Sequence, residues 1–203
     1  MGEIQHRQAR AAGVTDPLVL DAVMTVPREP FVPHGEDASL DAPIPIGGGQ
    51  TTSQPSLIAL ALQHLHLDGS QRVLDVGAGS GYQTALLAHL SAQVIGLELD
   101  AGLAAAAAAR LDDLGLDNVA VVVGDGWKGL PDQAPFDAIV VGAEAEEVPD
   151  ALVAQLAHDG RMVIPVTGSR GADMVLVTHG EEPGDVTIRP ILPVRFVPLV
   201  RST

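Results

Sequence analysis

Three glycines and a carboxylate one apparent strand away have the clearest chemical purpose in this 203-residue chain. The run VLDVGAGSGY occupies 73–82 and sets Gly77, Gly79 and Gly81 between a short apolar stretch and a helical one. Glycine lets a loop take positive φ and lets the backbone approach a ligand closely. Glu98 closes the next apolar stretch, 21 residues after Gly77. In a right-handed βαβ unit that position faces the crevice at the end of the first strand, where a carboxylate can accept hydrogen bonds from both hydroxyls of a ribose. A dinucleotide fingerprint, G-x-G-x-x-G from Gly77, would need glycine at 82, and Tyr82 stands there. Asp75, inside the first stretch, is a poor neighbour for a pyrophosphate and a good one for a cationic nucleoside. A second candidate is the hydroxyl run Thr51-Thr52-Ser53, which can bind a substrate or cap a helix starting at Pro55.

The order Asp75, Gly77, Gly79, Gly81, Glu98 resembles the first two motifs of class I methyltransferases. That resemblance implies S-adenosyl-L-methionine as cofactor and S-adenosyl-L-homocysteine as product. Asp125-Gly126 follows the third strand, where such enzymes place an acid or amide near the adenine; Asp-Gly is also an ordinary turn pair. Thr51, Asp75, Gly77, Ala78, Gly79, Glu98, Asp125 and Gly126 are the expected cofactor contacts. Trp127, the one tryptophan, could cover the adenine or simply pack.

The elements that must position these groups follow from periodicity. Residues 16–26 carry apolar side chains at helical spacing behind an Asp16-Pro17 start signal. Residues 27–52 are rich in Pro and Gly and are expected as an ordered loop or lid. A helix is expected at 55–66, then strand 73–76, loop 77–81, helix Tyr82–Leu90, strand 93–97, helix 102–114, strands Val119–Val123 and Phe136–Val141, helix 150–156 and strand 161–165. Alternating strands and helices imply parallel βαβ units, whose strands read as continuous apolar runs. Residues 174–178, 187–192 and 195–199 look like closing strands without helices between them, hence an antiparallel edge. The expected fold is α/β: a Rossmann-like doubly wound seven-stranded sheet, mostly parallel, with an antiparallel C-terminal edge and helices on both faces. One domain is expected over 1–203, with N-terminal helices and an active-site loop in 1–70 and the cofactor-binding core and closing strands in 71–203.

Composition narrows the chemistry. The absence of cysteine excludes disulfides, thiolate metal sites and cysteine nucleophiles. His64 and His66, two apart, cannot share a helix face, and no metal is expected. The net charge is −15, with one lysine and no basic run, which argues against extended nucleic-acid binding. Residues 1–12 are polar and lack an apolar signal-peptide core. The alanine-rich 101–109 is too short and too closely flanked by charge to span a membrane. A cytoplasmic monomer that binds neither nucleic acid nor membrane is the expectation.

Segments outside the glycine loop resemble the protein-L-isoaspartate O-methyltransferase family. VPREPFVP at 26–33 is similar to its N-terminal signature and IGGGQTTSQP at 46–55 to its active-site loop. VVGDG at 122–126, APFDAI at 134–139, Val148-Pro149, Gln155-Leu156, Gly160-Arg161, IPV at 164–166 and RFVPL at 195–199 follow in the family's order. The resemblance implies methylation of the α-carboxylate of L-isoaspartyl residues in damaged proteins and peptides. The ester then cyclises to a succinimide, which hydrolyses partly to normal aspartate. Ser53 matches the family's active-site serine. A carboxylate needs no general base at neutral pH, so Ser53 and backbone N–H groups near Val197 and Leu199 could anchor it without moving a proton. The family's aromatic residues near this loop are missing here, at Gly48, Ser56 and Ser39. A carboxyl methyltransferase for a dedicated biosynthetic peptide or a small molecule is the alternative. Glu144, Glu146 and Glu147 read as a solvated loop near the site mouth.

Overall fold

The computed structural model describes residues 2–169, 171–180 and 186–202. The chain opens with α1 (Gly2–Ala11) and α2 (Pro17–Thr25), then a 3₁₀ turn at Glu29–Phe31. A hairpin of β1 (Ile44–Gly47) and β2 (Gln50–Thr52) leads into α3 (Pro55–Gln63). The remainder runs β3 (Arg72–Val76), α4 (Tyr82–Leu90), β4 (Gln93–Glu98), α5 (Ala101–Asp113), β5 (Val119–Val123), β6 (Phe136–Val141), α6 (Asp150–Val153), β7 (Leu156–Gly168), β8 (Gly171–His179) and β9 (Val186–Val194).

One seven-stranded sheet takes the order β5-β4-β3-β6-β7-β8-β9. Its first five strands are parallel, and β8 and β9 run antiparallel to their neighbours. The strand order reverses between β3 and β6, which puts a crevice beyond their C-terminal ends. Alternate residues feed two cores. Val73, Val94, Ala138, Val140 and Val163 face one side, and Leu74, Ile95, Leu97, Ile139 and Met162 face the other. The first side is roofed by α1 to α5. The second is closed by α6, Trp127 and Leu130. Helix α4 is buried almost all round, because the sheet lies beneath it and α2 with Phe31 above it.

Helix starts are chemically explicit. Asp16 caps α2 by accepting hydrogen bonds from the Leu18 and Val19 amides at 2.9 and 3.3 Å, with Pro17 at the first helical position. Asp100 caps α5 through the Leu103 amide at 2.9 Å. Ala104, Ala107 and Leu111 form that helix's buried face.

Four local expectations change. Helix α1 lies in a stretch read only as polar; Gln5 and Ala9, four apart, form its buried stripe. The 27–52 segment holds a hairpin whose turn residues Gly47, Gly48 and Gly49 all have positive φ. Helix α6 stops at Val153 and β7 begins at Leu156, so the helix expected over 150–156 has only 4 residues. Residues 195–199 form no sheet strand. They cross the ends of the sheet as a strap, fixed through a lone bridge between Pro198 and Glu144.

Candidate active site

The glycine loop does its first work on the protein itself. The Gly77 and Ala78 amides donate to the Leu97 carbonyl at 2.8 and 3.2 Å. The Gly79 amide donates to Glu98 Oε2 at 2.8 Å, and the Asp100 amide to Glu98 Oε1 at 3.0 Å. Glu98 is thus buried and fixed, and each oxygen keeps a lone pair for a further donor. Gly77, Gly79 and Gly81 all have positive φ. At Gly81 a Cβ would also approach the Ala107 Cβ to 3.3 Å, so the loop packs closely against α5.

Glu98, Gly77, Gly79, Gly126 and Thr51 line a narrow cleft of about 70 Å³ whose outer wall is the strap, Val197 to Val200. A Cβ on Gly126 would lie 2.7 Å from Val76 Cγ1 and 2.9 Å from Leu199 Cδ1, so any side chain there would push Val76 or the strap aside. No lysine, arginine or histidine lines this cleft, which suits a nucleoside carrying its own positive charge and not a pyrophosphate. The buried acid for a diol and the glycine floor fit S-adenosylmethionine.

Asp75 and Asp125 stand elsewhere than the cofactor reading expects. Asp75 is fully buried and bonded to Thr84 Oγ1 at 2.6 Å and Gln83 Nε2 at 2.7 Å, pinning β3 to the first turn of α4. Burial raises its carboxyl to about 6, against the pull of the Thr84 and Gln83 bonds. It reaches the cavity beside the loop through Gln83, a residue sequence reasoning passed over, since a glutamine inside a helix carries no motif signal. Asp125 turns to the strap and its own turn. It accepts from the Trp127 amide at 3.0 Å and the Ser202 hydroxyl at 2.8 Å, with Lys128 Nζ at 3.5 Å. Burial pushes its carboxyl up, but those hydrogen bonds and Lys128 win and hold it below the ordinary carboxylate value.

Trp127 lies under the strap. Its indole N–H donates to the Leu199 carbonyl at 2.9 Å, and the Arg201 guanidinium stacks 3.8 Å from the ring centroid. The Glu144 amide donates to the Val197 carbonyl at 2.8 Å, and the Leu199 amide to the Glu144 carbonyl at 2.7 Å. The Leu199 N–H is therefore committed and cannot anchor a substrate carboxylate as expected. The Val197 amide donates to no backbone carbonyl recorded among the described residues. Glu146 and Glu147 are exposed, and Glu144 Oε1 accepts from Thr167 Oγ1 at 2.8 Å at the surface.

Thr51 sits in β2, paired with Pro45 of β1, and Ser53 on the short loop between β2 and α3. The N-cap of α3 is Gln54 and makes no side-chain cap bond, so neither hydroxyl is spent on capping. Asp41 instead receives the Ser56 amide and hydroxyl at 3.0 and 2.7 Å. Arg28 holds the loop from behind. This fully buried guanidinium donates to the carbonyls of Ala38 at 3.3 Å, Leu40, Ala42 at 2.9 Å and Ser53 at 3.2 Å. Burial lowers its pKa, and Tyr82 and Asp41 oppose that. Tyr82, the residue that breaks the dinucleotide pattern, is buried 5.6 Å from Phe31 by ring centroid, beside Arg28.

A groove of about 770 Å³ runs outward from Thr51 and Ser53 between α3 and the chain after β9. Leu57, Leu60 and Phe196 supply its apolar walls. Thr51 and Val197 line both this groove and the narrow cleft, and Ser53 lines the groove and the small cavity against Gly77 to Ser80.

The model of the protein-L-isoaspartate(D-aspartate) O-methyltransferase family matches residues 4–203. A protein-L-isoaspartate O-methyltransferase 1 of Anaeromyxobacter sp. (strain Fw109-5) is 48% identical over 200 residues, covering 97% of this chain and 94% of that one. A protein-L-isoaspartate O-methyltransferase of Roseiflexus castenholzii is 50% identical over 192 residues, covering 93% and 86%. The solved structure of a Plasmodium falciparum protein described as a protein-L-isoaspartate O-methyltransferase, in complex with S-adenosyl-L-homocysteine, superposes with a TM-score of 0.88 at 27% identity, covering 99% and 98%. A second solved protein-L-isoaspartate O-methyltransferase gives 0.87 at 29%, with this chain spanning 98% of its own length and 65% of the other's. With a narrow cleft and a broad groove that meet at Thr51 and Val197, and with the family model matched over residues 4–203, this chain belongs to the protein-L-isoaspartate O-methyltransferase family.

Proposed function

We propose that this protein methylates the α-carboxylate of L-isoaspartyl residues in peptides and damaged proteins, using S-adenosyl-L-methionine and starting repair through a succinimide. The carrying observation is the shared wall, since Thr51 and Val197 line both the cleft and the groove. An acceptor in the groove can meet a group held in the cleft only there. Bound S-adenosylmethionine supplies an electrophilic methyl on a sulfonium centre and leaves as S-adenosylhomocysteine. Glu98 takes the ribose hydroxyls, the backbone of Gly77, Ala78 and Gly79 cradles the loop side, and Gly126 gives the base a flat floor. Asp75 positions the loop, and Asp125 acts on the cofactor through the strap.

The residues around the acceptor have no proton to move, because a carboxylate is already ionised at neutral pH. Ser53 Oγ and the Val197 N–H donate to its oxygens and fix one of them toward the cleft. The apolar walls exclude water. Positioning of this kind can lower a barrier by roughly 7–11 kcal/mol. The groove's volume lies within the roughly 300–1,000 Å³ of ligand sites. Its open course along α3 favours a peptide over a small molecule as acceptor.

No described helix is long and apolar enough to cross a membrane. We read it as a single-domain monomer of the cytoplasm, and the net charge of −15 disfavours nucleic acid as a partner. The test is a pair of peptides differing only in aspartate versus isoaspartate, incubated with labelled S-adenosylmethionine. Label on the isoaspartyl peptide alone is expected. A protein that binds the cofactor yet labels neither peptide is not this enzyme.

A further inference from the structure

We propose that Arg195 forms a subsite for an acidic side chain close to the methyl-accepting residue, so that isoaspartyl sites with a neighbouring glutamate or aspartate are preferred acceptors. The proposal rests on the acceptor reading above and refines it. Arg195 is the one lysine or arginine lining the groove, and it stands at the wall opposite Leu57 and Leu60. It is exposed, and no carboxylate among the described residues lies within ion-pair distance, although acidic residues outnumber lysine and arginine by 26 to 11. Asp41, behind the groove wall, is already engaged by Ser56 and Gln54.

Spacing says what the free cation reaches. Arg195 precedes Val197 by two residues, about 7 Å of extended chain at ~3.3 Å per residue. Val197 marks the point where groove and cleft meet. An extended peptide with its isoaspartate at that point carries side chains on one face at the same two-residue interval. A carboxylate two positions away then falls beside the guanidinium. A part-exposed pair against an apolar wall corresponds to about a 3–5-fold preference. The overall negative charge acts in the opposite sense and disfavours acidic peptides, so a preference for them needs a local cation.

The experiment is a set of isoaspartyl peptides with Glu, Gln or Lys at each of the two positions on either side, compared by kcat/KM. The expected result is a Glu-to-Gln ratio of about 3–5 at one or two positions at low salt. That ratio falls toward 1 at high ionic strength and in Arg195→Gln, and Lys becomes preferred over Gln in Arg195→Glu. A ratio near 1 at every position in the wild type, or one that Arg195→Gln leaves unchanged, overturns the proposal. The salt dependence of the wild-type ratio decides the matter even if a variant fails to fold. If no isoaspartyl peptide is methylated, the acceptor reading itself falls. If all are methylated without regard to flanking charge, only this inference does.

Discussion

Replacing Arg28 by methionine is the most informative single perturbation. The guanidinium sits with no measurable exposure and donates to four backbone carbonyls, those of Ala38, Leu40, Ala42 and Ser53. Methionine fills a similar volume and donates nothing. A buried carbonyl left without a partner costs about 1–3 kcal/mol. Two left dry after the loop relaxes, with water reaching the rest, give a stability loss of about 3 kcal/mol. Arg28→Lys keeps the charge but loses the planar fork, and its single nitrogen cannot serve all four carbonyls, which the guanidinium reaches with two nitrogens. It should lose about half as much. Because one of the four carbonyls is that of Ser53, methyl transfer should suffer beyond the stability change. A drop in kcat of at least about tenfold is expected under conditions where the variant is fully folded. Urea unfolding monitored at Trp127 measures the first quantity, and the isoaspartyl peptide assay the second. If Arg28→Met unfolds within about 0.5 kcal/mol of wild type and keeps its kcat, the buried guanidinium neither holds the loop nor positions the serine.

Three further outcomes are expected. Ser53→Ala should lower kcat about 10- to 100-fold with a stability change under about 0.5 kcal/mol, because Ser53 does not cap α3; a comparable loss of stability in urea would mark the serine as structural. Glu98→Gln should raise the Kd for S-adenosylhomocysteine by about tenfold in calorimetry, about 1.4 kcal/mol, since one amide oxygen must then serve both the Gly79 and Asp100 amides and the ligand; unchanged affinity would remove Glu98 from the cofactor site. For Asp75 the folded carboxyl is raised to about 6 from 3.8, so the folded state holds the proton more tightly. Stability from this group is therefore greatest below pH ~4, declines as pH rises toward 6 and levels off above, by about 3 kcal/mol at 1.36 kcal/mol per pH unit. Asp75→Asn should lack that decline in urea titrations across pH 4 to 7, and parallel profiles for variant and wild type would refute it.

The parts of the site that were readable are those whose information is local. Gly77, Gly79 and Glu98 follow from a strand, a turn and a second strand at fixed spacing, and the structure joins them by the Gly79–Glu98 bond. The parts that were not readable depend on distant partners. Arg28 stands in the Pro-rich 26–33 segment with no local signal for its role, and only the convergence of three loop carbonyls and the Ser53 carbonyl explains its burial. Residues 195–199 alternate like a strand, but β9 already ends the sheet at Val194, and the segment turns across the strand ends to meet Glu144 instead. Helix α1 hid because its buried stripe is Gln5 and Ala9, with little hydrophobic signal. Asp75 reads as a ligand contact because a carboxylate there suits a cationic nucleoside, but its two oxygens are taken by Thr84 and Gln83 in the first turn of the next helix.

The strap has a kinetic consequence. Leu199 presses on Gly126, and the segment is tied down by Trp127, Glu144 and the Asp125–Ser202 pair. The cleft beneath it, about 70 Å³, adjoins the small cavity against Gly77 to Ser80, and an outward shift of the strap would open both to a nucleoside. Val197, on that same strap, is also a wall of the acceptor groove. Lifting it dismantles one side of the acceptor's seat, and a seated acceptor holds it down. Substrates should therefore enter in a compulsory order, nucleoside first and peptide second, and leave in reverse. The methylated peptide would depart while the spent nucleoside is still enclosed.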